Sequence, residues 1–125
     1  MATNLKKNLR IALVAFYVVA GTYHFINPAF YHGLIPDYLP FPRMINYLAG
    51  GIELMLALGV AIKKTRSIAV IGLVLMLVVF IPSHVYFIRI GSCIENSICV
   101  SPWVAWFRLL IIHPLLILWA WAVKD

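Results

Sequence analysis

Four long apolar segments, separated by short polar or proline-rich stretches, form the hydrophobic pattern of this chain. Each segment approaches or reaches the roughly 20 residues that an α-helix needs to cross the apolar core of a bilayer. Because the segments are apolar on nearly every side, their length is a stronger signal than their periodicity. The pattern predicts an all-α protein with membrane-spanning helices at about residues 11–26, 44–62, 68–90 and 103–123.

The connections between these segments predict a four-helix bundle in a single domain, residues 1–125. Residues 63–66 form only a short turn, so the second and third helices should be antiparallel neighbours. The first outer loop, residues 27–42, holds four prolines and four large aromatic side chains. Proline interrupts helices, and aromatic rings favour the membrane–water interface. This loop is therefore either an ordinary interfacial loop or a lid over a pocket.

Composition sets the class of protein. Hydrophobic residues make up 64% of the chain and charged residues only 11%, whereas soluble domains are roughly 45–50% apolar. A chain so poor in charge indicates an integral membrane protein whose partner is the lipid bilayer. The net charge of +6 does not indicate nucleic-acid binding, because the basic residues fall at helix ends. No nucleotide-binding, phosphate-loop or catalytic-triad motif is present, so the sequence does not identify an enzyme.

The basic residues are distributed unevenly, and this predicts the orientation. Of the ten Lys and Arg residues, one side of the bundle carries these seven: Lys6, Lys7, Arg10, Lys63, Lys64, Arg66 and Lys124. Arg43 and Arg89 fall on the other side. Because cytoplasmic loops are enriched in Lys and Arg, both termini and the 63–66 turn should be cytoplasmic. The expected location is the bacterial inner membrane. A cleaved signal peptide is disfavoured, because the first apolar segment continues to Ile26.

Glu53 lies in the middle of the second apolar segment. A carboxylate at the bilayer centre costs roughly 2.5–3.5 kcal/mol unless it faces the inside of the bundle. A stripe of small residues shares its helix face: Ala49 or Gly50, then Ala57 and Ala61. Small residues allow close helix contact in lipid, and Asn46 extends the polar face outward. Glu53 should therefore point towards the other helices.

Four further ionisable side chains lie in the other apolar segments: His24, His84, Arg108 and His113. Counting about 1.5 Å per residue from the outer helix ends places them, with Glu53, in the outer half of the bundle. One interpretation is a ligand-binding or proton-handling pocket built from all five side chains. The other is a structural network in which Glu53 pairs with Arg108 or His24 only to lock the helices. Pro82 and Pro114 should kink the two helices that carry His84 and His113.

These five side chains are a poor match to a metal or haem site. A metal needs three or four ligands that converge at about 2 Å, and no two of the five are spaced three or four residues apart. Haem ligation by two histidines, for instance His24 and His84, is also disfavoured.

Cys93 and Cys99 both fall in the second outer loop, residues 91–102. Their spacing allows a short disulfide-closed loop, and the outward side would permit oxidation in a bacterial periplasm. Two free thiols and a working redox pair are the alternatives. The chain has no C-x-x-C motif.

Several motifs, spread over nearly the whole chain, carry a family resemblance. Residues 20–25 read Ala-Gly-Thr-Tyr-His-Phe and precede Asn-Pro, and residues 35–42 read Ile-Pro-Asp-Tyr-Leu-Pro-Phe-Pro. Residues 46–53 end in Gly-Gly-Ile-Glu, and the last helix carries Arg108 and then His113 followed by proline. In these motifs the chain resembles the DoxX family of small four-helix membrane proteins.

Two positions depart from the pattern of the DoxX family. The run Pro82-Ser83-His84 stands where the family has Pro-Ala-Asn. His113 lies five residues after Arg108, whereas the family places Gln four residues after its Arg. Both departures put an imidazole where the family has an amide.

The resemblance implies a subunit associated with a quinol-oxidising, thiosulfate-linked membrane complex, or with redox homeostasis. In a redox-linked subunit that binds a quinone or another lipophilic molecule, His24 and Glu53 would handle protons. Arg108 would orient the Glu53 carboxylate or polarise a carbonyl. A non-catalytic accessory or scaffold subunit of a larger membrane complex would use the cluster only for stability. A lipid-binding membrane protein would use the pocket without redox chemistry.

Overall fold

The computed structural model describes residues 2–125 and is all-helical, with no β-strand among those residues. In this part of the chain, α-helices follow one another with one π-helical turn between the last two. Their bounds are α1 Ala2–Ile26, α2 Pro28–His32, α3 Pro42–Ala61, α4 Arg66–Val79, α5 Ile81–Arg89, α6 Pro102–Phe107, the π-helical turn Arg108–Ile112, and α7 His113–Ala122.

Within residues 2–125 these helices form four rods that are long and apolar enough to cross a membrane. α1 and α3 are one rod each, α4 and α5 form the third, and α6, the π-helical turn and α7 form the fourth. The last three rods agree with the predicted spans to about two residues at each end. α1 starts at Ala2 instead of near residue 11. A stretch free of Pro and Gly continues the helix past the apolar segment.

Both prolines that lie inside a predicted span interrupt their rod. Pro82 has no N–H to donate to the carbonyl four residues earlier, and the third rod breaks at Phe80, between α4 and α5. In the fourth rod the wider turn comes just before Pro114. There the His113 N–H donates to the Arg108 carbonyl five residues back. A wider turn gives the proline ring room beside the preceding carbonyls.

The buried face of α3 repeats at spacings of four and three residues: Asn46, Gly50, Glu53, Ala57 and Val60. This spacing is typical of a helix that packs along its neighbours at a shallow angle. The prediction that the Glu53 face points inward is confirmed, since Glu53 is only 5% exposed. The predicted stripe was wrong at its inner end. Val60 is buried there and Ala61 is exposed, because one residue rotates a helix face by about 100°.

α1 and α3 make the closest contact between rods, at Gly21 and Gly50. A Cβ atom added at Gly50 would lie 2.6 Å from His24 Cβ and 3.0 Å from the Gly21 carbonyl oxygen. Only a residue without a side chain lets the two backbones approach this closely. The contact fixes the positions of His24 and Glu53 relative to each other.

The inner half of the bundle, next to the 63–66 turn and the chain termini, is filled with apolar side chains. Its buried core is Leu13, Tyr17, Ala57, Val60, Ala69, Val70, Leu73, Met76, Ala120 and Val123. The Trp119 indole N–H donates to the Leu9 carbonyl at 3.0 Å, which ties the fourth rod to α1. The polar-lined cavity lies in the other half of the bundle.

The outer end is closed by α2, the loop that follows it, and a short hairpin, residues 90–100. A second apolar core, with Leu34, Phe87 and Ala105 at its centre, joins them to the rods. Cys93 and Cys99 form a disulfide within the hairpin. Ser97 Oγ donates to the Phe30 carbonyl at 2.8 Å, and Ser83 Oγ donates to the Leu34 carbonyl at 2.7 Å. We call α2, its loop and the hairpin the outer cap.

Candidate ligand-binding cavity

A cavity of about 460 Å³ lies between the four rods, beneath the outer cap. All five side chains singled out in the sequence line it: His24, Glu53, His84, Arg108 and His113. The remaining wall is mostly apolar or aromatic: Phe16, Phe30, Tyr31, Leu34, Ile35, Pro36, Leu39, Ile45, Asn46, Ala49, Val79, Phe80, Pro82, Ser83, Ile112 and Leu116. Cavities of roughly 300–1,000 Å³ with an apolar wall and a few polar groups are typical of small-molecule sites.

The first polar group in the wall is the His24 cluster, which consists of His24, Asn46 and Glu53. Asn46 Nδ2 donates to the His24 backbone carbonyl at 3.0 Å. This turns the Asn46 Oδ1 atom towards His24 Nδ1, at 2.6 Å. An amide oxygen can only accept, so the His24 proton must sit on Nδ1. α1 and α3 are thereby joined by two hydrogen bonds through one amide.

The other ring nitrogen of His24 meets Glu53. His24 Nε2 lies 2.9 Å from Glu53 Oε2, although the approach departs from the geometry of a well-formed hydrogen bond. His24 Nε2 and Glu53 Oε2 therefore form a close imidazole–carboxyl pair, an arrangement through which a proton can be exchanged. Both side chains are buried, since His24 is 7% exposed and Glu53 5%.

Tyr31 of the outer cap covers the His24 ring. The two rings stack with their centroids 3.7 Å apart and their planes within 13°. Burial, and secondarily the Glu53 carboxylate and then Tyr23, raises the pKa of the Tyr31 phenol to about 12. Tyr31 therefore stays neutral and protonated at physiological pH. The outer cap is part of the cavity wall, as one of the two interpretations of the first outer loop requires.

The second polar group is the Arg108 cluster, which consists of His84, Arg108 and His113. Arg108 Nη2 donates to His84 Nδ1 at 2.9 Å. A guanidinium only donates, so His84 accepts at Nδ1 and carries its own proton on Nε2. The carbon at the centre of the guanidinium lies 5.1 Å from the Phe87 ring centroid, a cation–π contact. Of the two partners considered for Glu53, Arg108 and His24, the structure places His24 beside it, whereas Arg108 contacts His84.

His113 closes this cluster from the fourth rod. Its ring lies 4.7 Å from the His84 ring, edge to face. Its Nε2 atom donates to the Leu77 carbonyl at 2.6 Å. That carbonyl belongs to the last turn of α4, beside the break near Pro82, where a helix needs substitute partners. His113 of the fourth rod therefore supplies a hydrogen-bond partner for a carbonyl beside the break in the third rod.

The π-helical turn brings Arg108 and His113 to the same side of their rod. In a regular α-helix, residues five apart point about 140° away from each other. The wider turn between them removes most of this difference, so that both side chains reach His84. Insertions of this kind often occur at functional sites.

Arg108 has no carboxylate partner in the described part of the chain, where no salt bridge within 4.0 Å involves it. Its Nε atom is buried and makes no hydrogen bond to any described residue. Among residues 2–125 no three His, Cys, Asp or Glu side chains are grouped in a way that could hold a metal ion. The charged groups of the cavity are therefore the Glu53 carboxyl, which lies beside His24, and the Arg108 guanidinium, which has no carboxylate beside it among residues 2–125.

Two residues in contact with His24, Asn46 and Tyr31, were not predicted as site residues. Asn46 was interpreted only as part of a polar helix face, seven residues from Glu53. Tyr31 was only one of four aromatic residues in the first outer loop. Its position over His24 depends on the fold of the outer cap, for which the sequence offered two interpretations, an interfacial loop or a lid.

The class of protein is now defined: a small all-helical chain with four helices able to cross a membrane and a polar-lined cavity between them. Comparison with known families then gives the family. Residues 13–124 match the family described as Domain of unknown function (DUF8561), and the chain belongs to that family. Neither the curated proteins nor the solved structures include a match to this chain. The resemblance to the DoxX family stays a prediction.

Proposed function

We propose that this protein is an integral membrane protein that binds a quinone-like lipophilic molecule in the cavity beneath the outer cap. One observation carries the proposal: two polar clusters, held by different rods, line a single mostly apolar cavity of about 460 Å³. The His24 cluster is held by α1 and α3, and the Arg108 cluster by the third and fourth rods. An apolar ring with a polar group on each of two edges matches such a wall.

The proposal includes the orientation in the membrane. The N-terminus, the 63–66 turn and the C-terminus would face the cytoplasm, and the outer cap would face the other side. The excess of Lys and Arg at the first end supports this orientation. The Cys93–Cys99 disulfide of the outer cap supports an oxidising compartment, such as the bacterial periplasm, on the other side.

The two clusters would have different tasks on a bound quinone. The two carbonyl oxygens of a quinone lie on opposite edges of its ring. A proton exchanged between His24 and Glu53 could be passed to, or taken from, one of these oxygens. The N–H groups of Arg108 and His84 would donate hydrogen bonds to the other oxygen. Arg108 would thus polarise a carbonyl and would not orient Glu53.

The resemblance to the DoxX family supports a redox role of this kind. In that family, Gln follows Arg at four residues, a spacing that keeps both side chains on one helix face. Here the π-helical turn between Arg108 and His113 compensates for the extra residue. His113 would then correspond to the family's Gln despite the different spacing.

The proposal is tested by ligand binding to the purified full-length protein. A short-tailed quinone analogue would be titrated into wild type, Glu53→Gln and the matched control Glu95→Gln, whose side chain is exposed in the outer cap. We expect wild type and the control to bind equally, and Glu53→Gln to bind at least about tenfold more weakly, as for a lost charge-assisted contact. No binding by wild type, or equal binding by Glu53→Gln, rejects the proposal.

A second candidate function is an accessory or scaffold subunit of a larger membrane complex. The observation in its favour is that both ring nitrogens and the backbone carbonyl of His24 are already engaged within the protein. Glu53→Gln would then lower thermal stability without changing the binding of any quinone. Mass spectrometry of the co-purified material adds a third outcome, since a stoichiometric phospholipid in place of a quinone would indicate a lipid-binding protein.

A further inference from the structure

The charge of Arg108 is not balanced inside the protein. The guanidinium lies in the cavity wall between helices, yet its contacts are the uncharged acceptor His84 and the face of the Phe87 ring. Glu53, the buried carboxylate, is already in contact with His24. The other carboxylate side chains, Asp37, Glu95 and Asp125, are exposed. A cation in a low-dielectric wall is costly unless an anion accompanies it.

The polar atoms that Arg108 and His84 leave unused are all N–H donors. His84 accepts through Nδ1 and so presents Nε2–H as its remaining polar atom. The His113 Nε2–H group already donates to the Leu77 carbonyl. The buried Arg108 Nε–H makes no hydrogen bond to any residue in 2–125. A group with negatively charged oxygen is the chemical complement of a guanidinium with unused N–H donors.

We infer that the natural ligand carries an acidic oxygen headgroup and that this headgroup binds at Arg108 as an anion, with its apolar tail along the rest of the cavity. The apolar side chains Phe16, Ile112 and Leu116 line the space available to the tail. The ligand class is an acidic amphiphile. Both a long-chain carboxylate and a ring-hydroxylated quinone, ionised at neutral pH, have this chemistry. The inference rests on the proposed function, since it concerns the same cavity.

The test compares acids with their uncharged twins. Native mass spectrometry of full-length protein in nanodiscs would measure competition between palmitate and methyl palmitate. A second competition would use a 2-hydroxy-3-alkyl-1,4-naphthoquinone and its 2-methoxy ether. We expect wild type to bind at least one acid about tenfold or more in excess of its neutral twin, since charged hydrogen bonds add to the shared apolar contact. The pair that shows the larger ratio identifies the source of the headgroup.

Variants connect this preference to one side chain. Arg108→Gln should bring the ratio of acid to neutral twin close to one. Arg108→Lys should keep part of it, because the charge remains while the two-pronged donor geometry is lost. Arg89→Gln is the matched control, because Arg89 is exposed at the outer end of α5. A wild-type ratio near one, or an unchanged ratio in Arg108→Gln, overturns the inference. If Arg108→Gln does not fold, the ratio of acid to neutral twin in wild type and in Arg108→Lys decides whether the inference stands.

The outcomes separate this inference from the proposed function. If a neutral quinone binds in a Glu53-dependent way and the acids bind no better than their twins, the proposed function stands and the acidic headgroup is wrong. If palmitate binds in an Arg108-dependent way and neither quinone binds, the acidic headgroup stands and the quinone is wrong.

Discussion

The two polar clusters of this protein are built on helices of different regularity. The His24 cluster sits on α1 and α3, which are unbroken through the site and touch at Gly21 and Gly50. The Arg108 cluster sits where the third rod breaks near Pro82 and the fourth widens into a π-helical turn. The first cluster satisfies its own charges and most of its polar atoms. The second leaves its cation without a carboxylate partner among residues 2–125.

The difference separates two uses of polar groups inside a bundle. Regular helices in close contact hold side chains in fixed pairs, and such pairs stabilise the packing as well as storing a proton. Broken helices turn side chains and carbonyls out of register, so that donors are left facing the cavity. The His24 cluster should therefore matter most for stability, and the Arg108 cluster most for binding. The following experiments test this contrast.

The largest effect is expected where the regular helices touch. Gly50→Ala adds a Cβ atom that would lie 2.6 Å from His24 Cβ, so α1 must move away from α3. We expect a loss of about 3 kcal/mol in the free energy of unfolding, as for an overpacked core. The neighbouring Gly51→Ala is the control, because a Cβ there meets nothing within 4 Å. Denaturant titration in mixed micelles measures both, and equal values would contradict the close contact.

A smaller loss is expected for the amide of the His24 cluster. Asn46→Ala removes two hydrogen bonds and leaves the His24 carbonyl and Nδ1–H without partners. Unfilled buried polar groups should lower the free energy of unfolding by about 2 kcal/mol. Asn8→Ala, at an exposed position of α1, is the control and should change little. Equal stability of the two variants would show that the first cluster does not lock the helices.

The smallest effect on stability is expected in the second cluster. Arg108→Gln loses the contacts with His84 and Phe87, but it also removes an unneutralised cation from the cavity wall. These contributions oppose each other, and ligand-free protein should change by less than about 1 kcal/mol. Thermal unfolding without added ligand measures this. A loss as large as that of Asn46→Ala would erase the contrast between the clusters.

The helices and the inward-facing Glu53 were accessible from sequence because they depend on local rules. Apolar length gave four spans, and small residues at spacings of three and four gave the buried face of α3. The error at Ala61 also comes from this local pattern. The stripe of small residues was continued four residues beyond Ala57, whereas the buried face of α3 continues three residues beyond it, at Val60. The start of α1 at Ala2 was not predicted, because hydropathy marks the apolar part of a helix and not a polar extension of it.

The partner of Arg108 was not accessible in this way. The sequence offered Glu53 as a candidate partner of Arg108, with His24 as the alternative partner of Glu53, and did not indicate His84. The five-residue spacing just ahead of Pro114 was the one available signal of a wider turn. The proton positions on His24 and His84 could be assigned only from the structure. They depend on which neighbouring group donates a hydrogen bond to the ring and which accepts one.

The outer cap is held together by the disulfide within its hairpin and by the Ser97 bond from the hairpin to α2, and the Ser83 bond joins it to the third rod. Moving the cap away from the rods would break the Ser83 bond and separate Tyr31 from His24. Under the proposed function, a lipophilic ligand that enters without breaking these two contacts must pass sideways, between two rods.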